Sequence, residues 1–323
     1  MNKGTISLLA IMAFGAASLS GCSSSKTQIG ILQFGSFPAL EKAKQGFVDA
    51  LKKSSIADSV EITIKNPAAN SADNASMAST LAASCDLLYG VATPSASALK
   101  TAVSSLGANT PVLFSAVTNP VGANLLTNTE APEGNCTGVV DLGPIAEELE
   151  ILTKFPGIDK VASFFTSTEV NSVYQADIAE EWMDAHNISH ERKTITSAAE
   201  IGSALAAIGD DVDAVFLPTD DTIANSIGAV KQANDVRTKK LIIVGSDTGM
   251  IEGSTFALGV DYYQCGVQAG EMAIKILKDK KSLSEIRVES CDTSEVVINQ
   301  TWATALGIEI PAEVLAMEGA TIV

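Results

Sequence analysis

Hydroxyl, amide and carboxylate side chains recur in short loops that follow apolar segments of this 323-residue chain. Two loops carry acids, which accept hydrogen bonds and neutralise positive charge: Asp220-Asp221 and Asp247. The other loops carry groups that donate hydrogen bonds to oxygen atoms, namely Thr93, Ser95, Thr118, Asn119, Asn171 and Ser172. These residue types predict the binding of a small polar ligand.

Sequence motifs of catalysis do not occur in the chain. There is no GxSxG, HExxH, P-loop or GxGxxG segment, and no Cys–His pair is placed to act as nucleophile and base. The two histidines, His186 and His190, have helical spacing, but no acid or cysteine joins them in a metal-binding pattern, and no CxxC pair exists. We therefore expect neither enzymatic activity nor a metal or cofactor.

The polar loops follow six apolar runs that predict β-strands. These runs are residues 29–34, 86–91, 111–116, 160–165, 213–217 and 241–244. Most lead into a helical pattern, and alternating strands and helices predict parallel sheets with right-handed crossovers. Ligands bind beyond the carboxyl ends of the strands in such sheets, so we expect the six loops to line one cleft.

The first of these loops is Phe34-Gly35-Ser36-Phe37-Pro38, between a strand and an amphipathic helix. Ser36 or Phe37 is expected to cap the helix, with Pro38 in its first turn. We interpret the loop as a wall of the cleft, in which Gly35 allows close backbone approach, Ser36 donates a hydrogen bond and an aromatic ring offers an apolar face. The alternative is that both rings belong to the core.

The six strands divide three and three, which predicts two Rossmann-like α/β lobes. Residues 135–144 form a candidate first crossing between the lobes, and the runs 256–260 and 295–299 are candidates for return crossings. We expect one lobe to comprise residues 29–142 and 255–281, and the other 143–254 and 282–323. A hinge of two or three strands would join them and allow closure around a small ligand.

The first 21 residues are predicted to be a signal peptide. Lys3 is their only charge, and their apolar run is shorter than the roughly 20 residues that a membrane span requires. The ending Leu19-Ser20-Gly21-Cys22 resembles the bacterial lipobox, which implies cleavage before Cys22 and lipid attachment to it; residues 22–28 would be a tether. An ordinary secretory signal is the alternative. Such a lipid would anchor the protein to a membrane surface.

Net charge excludes one class of partner. The formal charge is −17, and removal of Lys3 with the signal peptide would bring it to −18. A surface this acidic argues against nucleic acid binding and against electrostatic adhesion to anionic lipid.

Beyond Cys22 the chain has four cysteines: Cys85, Cys136, Cys265 and Cys291. An oxidising compartment permits disulfides, and four cysteines allow three pairings that sequence cannot distinguish. Proximity in the chain favours Cys85–Cys136 and Cys265–Cys291.

Several segments, in their order along the chain, resemble one family. They are IGILQFGSFPALEKAKQGFVDAL, AVTNPVGANL, TSTEVNSV, LPTDDTI and VINQTWATALGIEIPAEVL. They are similar to lipoprotein substrate-binding components of ABC importers related to the tryptophan- and tyrosine-binding proteins. The resemblance implies a type I periplasmic-binding fold, a monomeric extracytoplasmic receptor and ABC permease and ATPase subunits as partners. It also implies an aromatic amino acid as the ligand.

An amino acid requires partners for both of its charges, because burying either one alone is strongly unfavourable. Thr93, Ser95, Asn171 and Ser172 would hold the carboxylate, with Thr118 and Asn119 in second rank. Asp220, Asp221 or Asp247 would hold the ammonium group, although each of these acids could instead be a helix N-cap. The side chain would contact Phe34, Phe37, Tyr262 or Tyr263, whereas Glu169 is expected to face solvent or lie in a first helical turn.

The chain departs from the family pattern at two loops. Asn119 stands where relatives commonly have Asp, and Asp221 stands where Asn is common; the extra cysteines also differ. Two alternatives stay open, a nucleoside- or sugar-binding protein of the same fold and a sensor module for a membrane receptor. Neither Trp182 nor Trp302 is placed like the stacking platform of a sugar site.

Overall fold

The computed structural model describes residues 26–291 and 296–323. The strands are β1 Thr27–Gln33, β2 Val60–Lys65, β3 Leu87–Val91, β4 Val112–Val117, β5 Cys136–Val140, β6 Lys160–Thr166, β7 Ser189–Ile195, β8 Ala214–Leu217, β9 Ile242–Gly245, β10 Phe256–Ala257, β11 Glu289–Ser290, β12 Val297–Ile298 and β13 Thr321–Ile322. The α-helices are α1 Pro38–Lys53, α2 Ser71–Ala82, α3 Thr93–Ser105, α4 Ile145–Thr153, α5 Val170–Ala185, α6 Ile201–Ala206, α7 Asp221–Ala224, α8 Ile227–Val236, α9 Tyr262–Leu277, α10 Gln300–Leu306 and α11 Ala312–Leu315. No helix in these residues is long and apolar enough to span a membrane. The predicted signal peptide, Cys22 and the start of the tether lie outside the described residues.

The strands form two sheets, one in each lobe. The first has the order β11-β5-β4-β3-β1-β2 and is entirely parallel. The second has the order β13-β12-β10-β9-β8-β6-β7, in which only the β10–β12 pair is antiparallel. The predicted two-lobed α/β fold is confirmed.

All six predicted strands occur, as β1, β3, β4, β6, β8 and β9. They are identifiable from sequence because helices cover both faces of each sheet, so that interior strands are apolar runs. In β3, for example, all five residues are buried.

The edge strands β2 and β7 escape the search for apolar runs, because β2 alternates apolar and polar residues and β7 is polar except for Ile195. The helical spacing of His186 and His190 is consequently misleading. His186 ends α5 and stacks on Trp182, whereas His190 lies in β7 and contacts Asp184 at 3.1 Å.

The chain passes between the lobes three times, and the second and third passages differ from the predicted boundaries. β10 pairs with β9 in the second sheet, so the chain crosses after residue 257 rather than before 255. β11 pairs with β5, and the Thr137 hydroxyl donates to the carbonyl of Ile286, so the segment before residue 291 belongs to the first lobe rather than the second. The third passage follows β11 and includes residues outside the described ranges.

Helices α1 and α9 of the first lobe pack with their backbones in close contact. A methyl group on Gly46 would lie 2.0 Å from the carbonyl oxygen of Tyr263, and one on Gly266 would lie 1.9 Å from that of Ala43. Only glycine fits at these two positions. Because α1 starts at the first cleft loop and α9 starts at Tyr262, this contact fixes the two helix starts relative to each other.

One of the two expected disulfides is present. Cys265 in α9 is joined to Cys291, with their Cα atoms 5.1 Å apart. The predicted Cys85–Cys136 bond is wrong, and both residues are free. Cys85 precedes β3 and Cys136 begins β5, with β4 between them. Two strand spacings amount to about 9–10 Å, which exceeds the reach of a disulfide.

Candidate functional site

The carboxyl ends of the interior strands face a cleft of about 570 Å³ between the lobes. Residues from β–α corners of both lobes line it. Eight of the predicted site residues lie in its walls: Phe34, Phe37, Thr93 and Tyr262 from the first lobe, and Asn171, Asp220, Asp221 and Asp247 from the second.

The first loop supplies an aromatic wall. Phe34 and Phe37 are half-buried and line the cleft, while their remaining surface packs on the first-lobe core, so the structure combines the two alternative roles. The ring of Phe37 covers Gly35, where an added methyl would meet it at 2.8 Å. Gly35 is buried and does not line the cleft, and the exposed Ser36 accepts a hydrogen bond from Asn66 instead.

Three other predicted donors of the first lobe form hydrogen bonds within the protein. Ser95 is fully buried and donates to Asn74, which in turn donates to the carbonyl of Pro94. Thr118 donates to Asp141, and the Asn119 side chain accepts from the backbone N–H of Gly122. None of the three lines the cleft: Asn119 closes its own loop, whereas Ser95 and Thr118 bond to residues of neighbouring elements.

Two alanines at strand tips of the first lobe have left-handed backbone conformations. Ala92 has φ 82° and Ala116 has φ 53°, and both line the cleft. Such conformations cost on the order of 1 kcal/mol or more for residues with a side chain and cluster at functional sites.

A hydrogen-bond network holds the second-lobe wall. Asn171 and Ser172 donate to the carbonyl of Thr219 at 2.9 and 3.2 Å, and the hydroxyl of Thr219 donates to Gln175. The start of α5 is therefore fixed to the loop after β8. Asn171 faces the cleft, whereas Ser172 is buried behind it.

The three predicted acids differ in how many of their oxygen atoms remain available. Asp220 caps α7 and accepts from the N–H of Ile223 and from the N–H and hydroxyl of Thr166, so both of its oxygens are occupied. Asp247 is 94% buried, and only its Oδ1 accepts a hydrogen bond, from Gly249. The carboxylate of Asp221 accepts none within the described residues.

Two further acids in the cleft were missed. Asp141 follows β5, and its oxygens accept hydrogen bonds from Thr118 and Tyr262; an acid directly after an apolar strand could have indicated this position. Glu169 lines the cleft rather than facing solvent, because its carboxylate accepts from the backbone N–H groups of Asp221 and Thr222 at 2.8 and 3.1 Å. No sequence pattern reveals that contact.

The cleft is strongly acidic, since no Lys, Arg or His is found among the described residues that line it. Burial raises the pKa of Asp141 and of Asp247. Burial and the Asp220 charge raise the pKa of Glu169 to about 7, and burial together with the Glu169 charge raises that of Asp221. Within the described residues, no three acidic, histidine or cysteine side chains form a group suited to a metal ion. The arrangement can therefore bind a positively charged organic group next to an aromatic surface.

Comparison with known proteins gives the chain a family. Residues 28–322 match the family model described as ABC transporter substrate binding protein. The chain is 32% identical to a tyrosine-binding protein of Clostridioides difficile over 330 aligned residues, which cover 95% of this chain and 93% of the relative.

Solved structures agree with this assignment. An ABC domain in complex with L-Trp from Streptococcus pneumoniae superposes with a TM-score of 0.85 at 31% identity, covering 93% of this chain and 100% of that one. A ligand-free, open substrate-binding protein from Clostridium difficile gives a TM-score of 0.72 at 30% identity, covering 92% and 99%. The fold is that of type I periplasmic-binding proteins, and the chain belongs to the substrate-binding proteins of ABC transporters.

Proposed function

We propose that this protein captures an α-amino acid with an aromatic side chain between its lobes and delivers it to the permease of an ABC importer. One observation carries the proposal. The cleft places an aromatic wall on the first lobe opposite carboxylates with unoccupied oxygens on the second. Its volume of about 570 Å³ is within the range of small-molecule sites.

The ammonium group of the ligand would bind Asp221 and Asp247. Asp220 is excluded because donors of the protein occupy both of its oxygens. Asp221 and one oxygen of Asp247 retain acceptor capacity, and an ammonium group has three N–H donors to fill it.

The carboxylate would lie against the first turn of α3 and Asn171. Thr93 begins α3, and its hydroxyl has no hydrogen-bond partner within the described residues. The Asn171 amide donates to Thr219 at 2.9 Å and to the Ser172 hydroxyl at only 3.5 Å, and the ligand carboxylate would take the place of this longer contact. The backbone N–H groups at the start of a helix carry partial positive charge. This charge would stabilise the ligand carboxylate in place of a Lys or Arg side chain.

The side chain would pack on Phe34 and Phe37. Aromatic rings gain stabilisation from stacked or edge-to-face contacts of this kind. The tyrosine-binding relative and the L-Trp complex support this ligand class, because both bind aromatic amino acids and resemble the chain over more than nine-tenths of its length.

Isothermal titration calorimetry of the purified mature protein with L-tyrosine, L-tryptophan, L-phenylalanine, L-leucine, ribose and adenosine tests the proposal. We expect at least one aromatic amino acid to bind at least tenfold more tightly than leucine and neither ribose nor adenosine to bind. N-acetylated forms of the same amino acids, which lack the ammonium group, are the matched controls and should not bind. Binding of ribose or adenosine alone would refute the proposal.

The lipid anchor, the monomeric state and the partner subunits are part of the same proposal. Proteins of this family work outside the cytoplasm, and a lipid on Cys22 would hold this one at the membrane surface as a monomer beside the permease and ATPase subunits. The sequence at residues 19–22 supports the anchor.

A further inference from the structure

Gln33, the last residue of β1, is a polar side chain in a strand whose other buried side chains are apolar. It is fully buried, as are Ile29, Ile31 and Leu32 of the same strand. Its Oε1 has no hydrogen-bond partner in the described part of the chain. Because an apolar residue would avoid the free-energy cost of this unpaired oxygen, the amide is expected to contribute something that an apolar side chain cannot.

The amide nitrogen makes two short hydrogen bonds behind the first cleft loop. Nε2 of Gln33 donates to the carbonyl oxygen of Gly35 and to Oε1 of Glu41, each at 2.7 Å. The reverse orientation of the amide would place Oε1 against these two oxygens, so the contacts fix which amide atom faces the loop. Glu41 lies in the first turn of α1, and its other oxygen forms an ion pair with Lys44. The Gln33 side chain thus joins the end of β1, the loop and the start of α1.

The carbonyl of Gly35 is held by a side chain, whereas two other carbonyls of the loop are held by backbone. The carbonyls of Phe34 and Phe37 accept backbone N–H groups at 2.8 and 2.9 Å. Gly35 is buried, so its carbonyl requires a donor from within the protein. Gln33 is that donor, and the conformation of the loop at Gly35 therefore depends on the amide.

The backbone that Gln33 holds also supports an aromatic ring of the cleft. A methyl group on Gly35 would lie 2.8 Å from the ring of Phe37, so the ring packs directly on the Gly35 backbone. Phe34, which lines the cleft with Phe37, is the residue between Gln33 and Gly35. A displacement of the Gly35 carbonyl would therefore move both rings.

Building on the proposed function, we propose that Gln33 is a positioning residue for the aromatic wall formed by Phe34 and Phe37. By bonding the loop to α1, its amide keeps the two rings where the ligand side chain packs. Gln33 does not line the cleft itself, so it acts on the ligand through the rings. Its loss should weaken the binding of an aromatic amino acid more than that of an aliphatic one, because the proposed ammonium and carboxylate contacts lie elsewhere.

Gln33→Met tests this role, because methionine has a similar length but no N–H donor. Isothermal titration calorimetry gives the Kd for L-tyrosine, L-tryptophan and L-leucine. We expect the preference for the aromatic ligands over leucine, taken as the ratio of the Kd values, to decrease roughly three- to tenfold, which is the contribution of an aromatic contact. A side chain that serves folding alone would change all Kd values by the same factor, and that result would overturn the inference.

Gln28→Met is the matched control. Gln28 lies near the opposite end of β1, and its Nε2 likewise donates to a carbonyl, of Lys26, and to a glutamate, Glu61, each at 3.1 Å. It does not line the cleft. This variant should keep the wild-type ratio of Kd values. An equal decrease in both variants would show that the ratio responds to any glutamine lost from β1, and the inference would be wrong.

Two substitutions at Glu41 keep the test decisive if Gln33→Met does not fold. Glu41 is only partly buried, so the chain should tolerate changes there. Glu41→Ala removes one of the two bonds of the Gln33 amide and should lower the preference for aromatic ligands by a smaller factor. Glu41→Gln keeps an acceptor oxygen and should restore the wild-type ratio. Identical ratios in Glu41→Ala and wild type would contradict the proposed role of this bond.

A measurement without ligand follows the ring itself. Fluorophenylalanine incorporated at position 37 gives a fluorine NMR signal that reports the surroundings of that ring. In the ligand-free protein we expect Gln33→Met to shift or broaden the signal and Gln28→Met to leave it unchanged. An unchanged signal in Gln33→Met would show that the amide does not position the ring.

The outcomes separate the two proposals. If no aromatic amino acid binds to the wild-type protein, the proposed ligand is wrong and the inference falls with it. If an aromatic amino acid binds and Gln33→Met retains the full preference for it over leucine, only the inference is wrong.

Discussion

Asp220 and Asp221 follow one another in the chain, yet their carboxylates face different surroundings. Asp220 is almost completely buried and connects the end of β6 to the start of α7 through Thr166 and Ile223. Asp221 accepts no hydrogen bond within the described residues and lines the cleft. Both residues line the cleft, but the hydrogen bonds of Asp220 stabilise the fold, whereas Asp221 retains its acceptor capacity.

The same conservative change at these two positions should separate the roles. Asp220→Asn replaces an acceptor oxygen by an amide that opposes the N–H of Thr166, so we expect a loss of about 1–3 kcal/mol in the free energy of unfolding. Asp221→Asn should leave stability unchanged or increase it, because it removes a carboxyl group that accepts no hydrogen bond from the described residues and lies beside other acids. Urea unfolding followed by circular dichroism measures both. Equal destabilisation by the two changes would contradict the assignment.

At the scale of elements, α4 carries a fully buried acid next to the first passage between the lobes. Glu148 accepts a hydrogen bond from Ser246 at one oxygen, and its other oxygen has no hydrogen-bond partner in the described ranges 26–291 and 296–323. That second oxygen lies 3.4 Å from where a methyl on Gly143 would be. Burial raises the pKa of Glu148 to about 8, so the side chain is protonated at neutral pH.

A raised carboxyl pKa makes stability decline with pH. The folded protein binds the proton more tightly than the unfolded chain, whose glutamates titrate near 4.3, so stability is lost as pH rises towards and through 8. Glu148→Gln cannot ionise, and we expect its advantage over wild type to grow by a few kcal/mol between pH 5 and 9. Urea unfolding of both proteins across this range measures the difference. A constant difference would show that Glu148 does not titrate in this range.

At the scale of the whole molecule, we propose that the two-lobed protein stays at the membrane through a lipid on Cys22, the first residue of the mature chain. The described residues start at Lys26, only four positions after Cys22. A net charge near −18 would keep the body itself from adhering to anionic lipid, so the acyl chains would provide the attachment.

Cys22→Ser tests this attachment. We expect the variant to lose incorporation of radiolabelled palmitate and to leave the membrane fraction, while it binds ligand with unchanged Kd because every residue that lines the cleft is retained. Cys85→Ser is the matched control and should stay labelled and membrane-bound. Retention of the Cys22→Ser protein in the membrane fraction after a high-salt wash would contradict lipid anchoring.

Sequence is informative wherever burial determines residue type. The interior strands are recognisable because both of their faces are covered, whereas β2 and β7 have one strand neighbour and polar residues. The lobe assignments of β10 and β11 could not be deduced, since two residues of pairing carry no periodicity.

The site was predictable to the level of the loop but not of the atom. Ser95 and Thr118 have the hydroxyls that a ligand would need, but neighbouring side chains already accept their hydrogen bonds. Glu169 reaches the cleft because its carboxylate accepts from backbone N–H groups 52 and 53 residues away in sequence. Such pairings follow from the tertiary positions of the loops, which residue type alone does not specify.

The glycine contact between α1 and α9 has a consequence for the kinetics of ligand capture. It joins the aromatic loop and Tyr262 in a rigid block, so half of the cleft is assembled before any ligand arrives. We therefore expect a ligand to associate with this preformed surface at a rate set by diffusion and orientation. If the lobes close around the ligand as proposed, we expect the time that the ligand stays bound to depend on the second-lobe acids and on the three passages, so substitutions there should change it without altering the first-lobe surface.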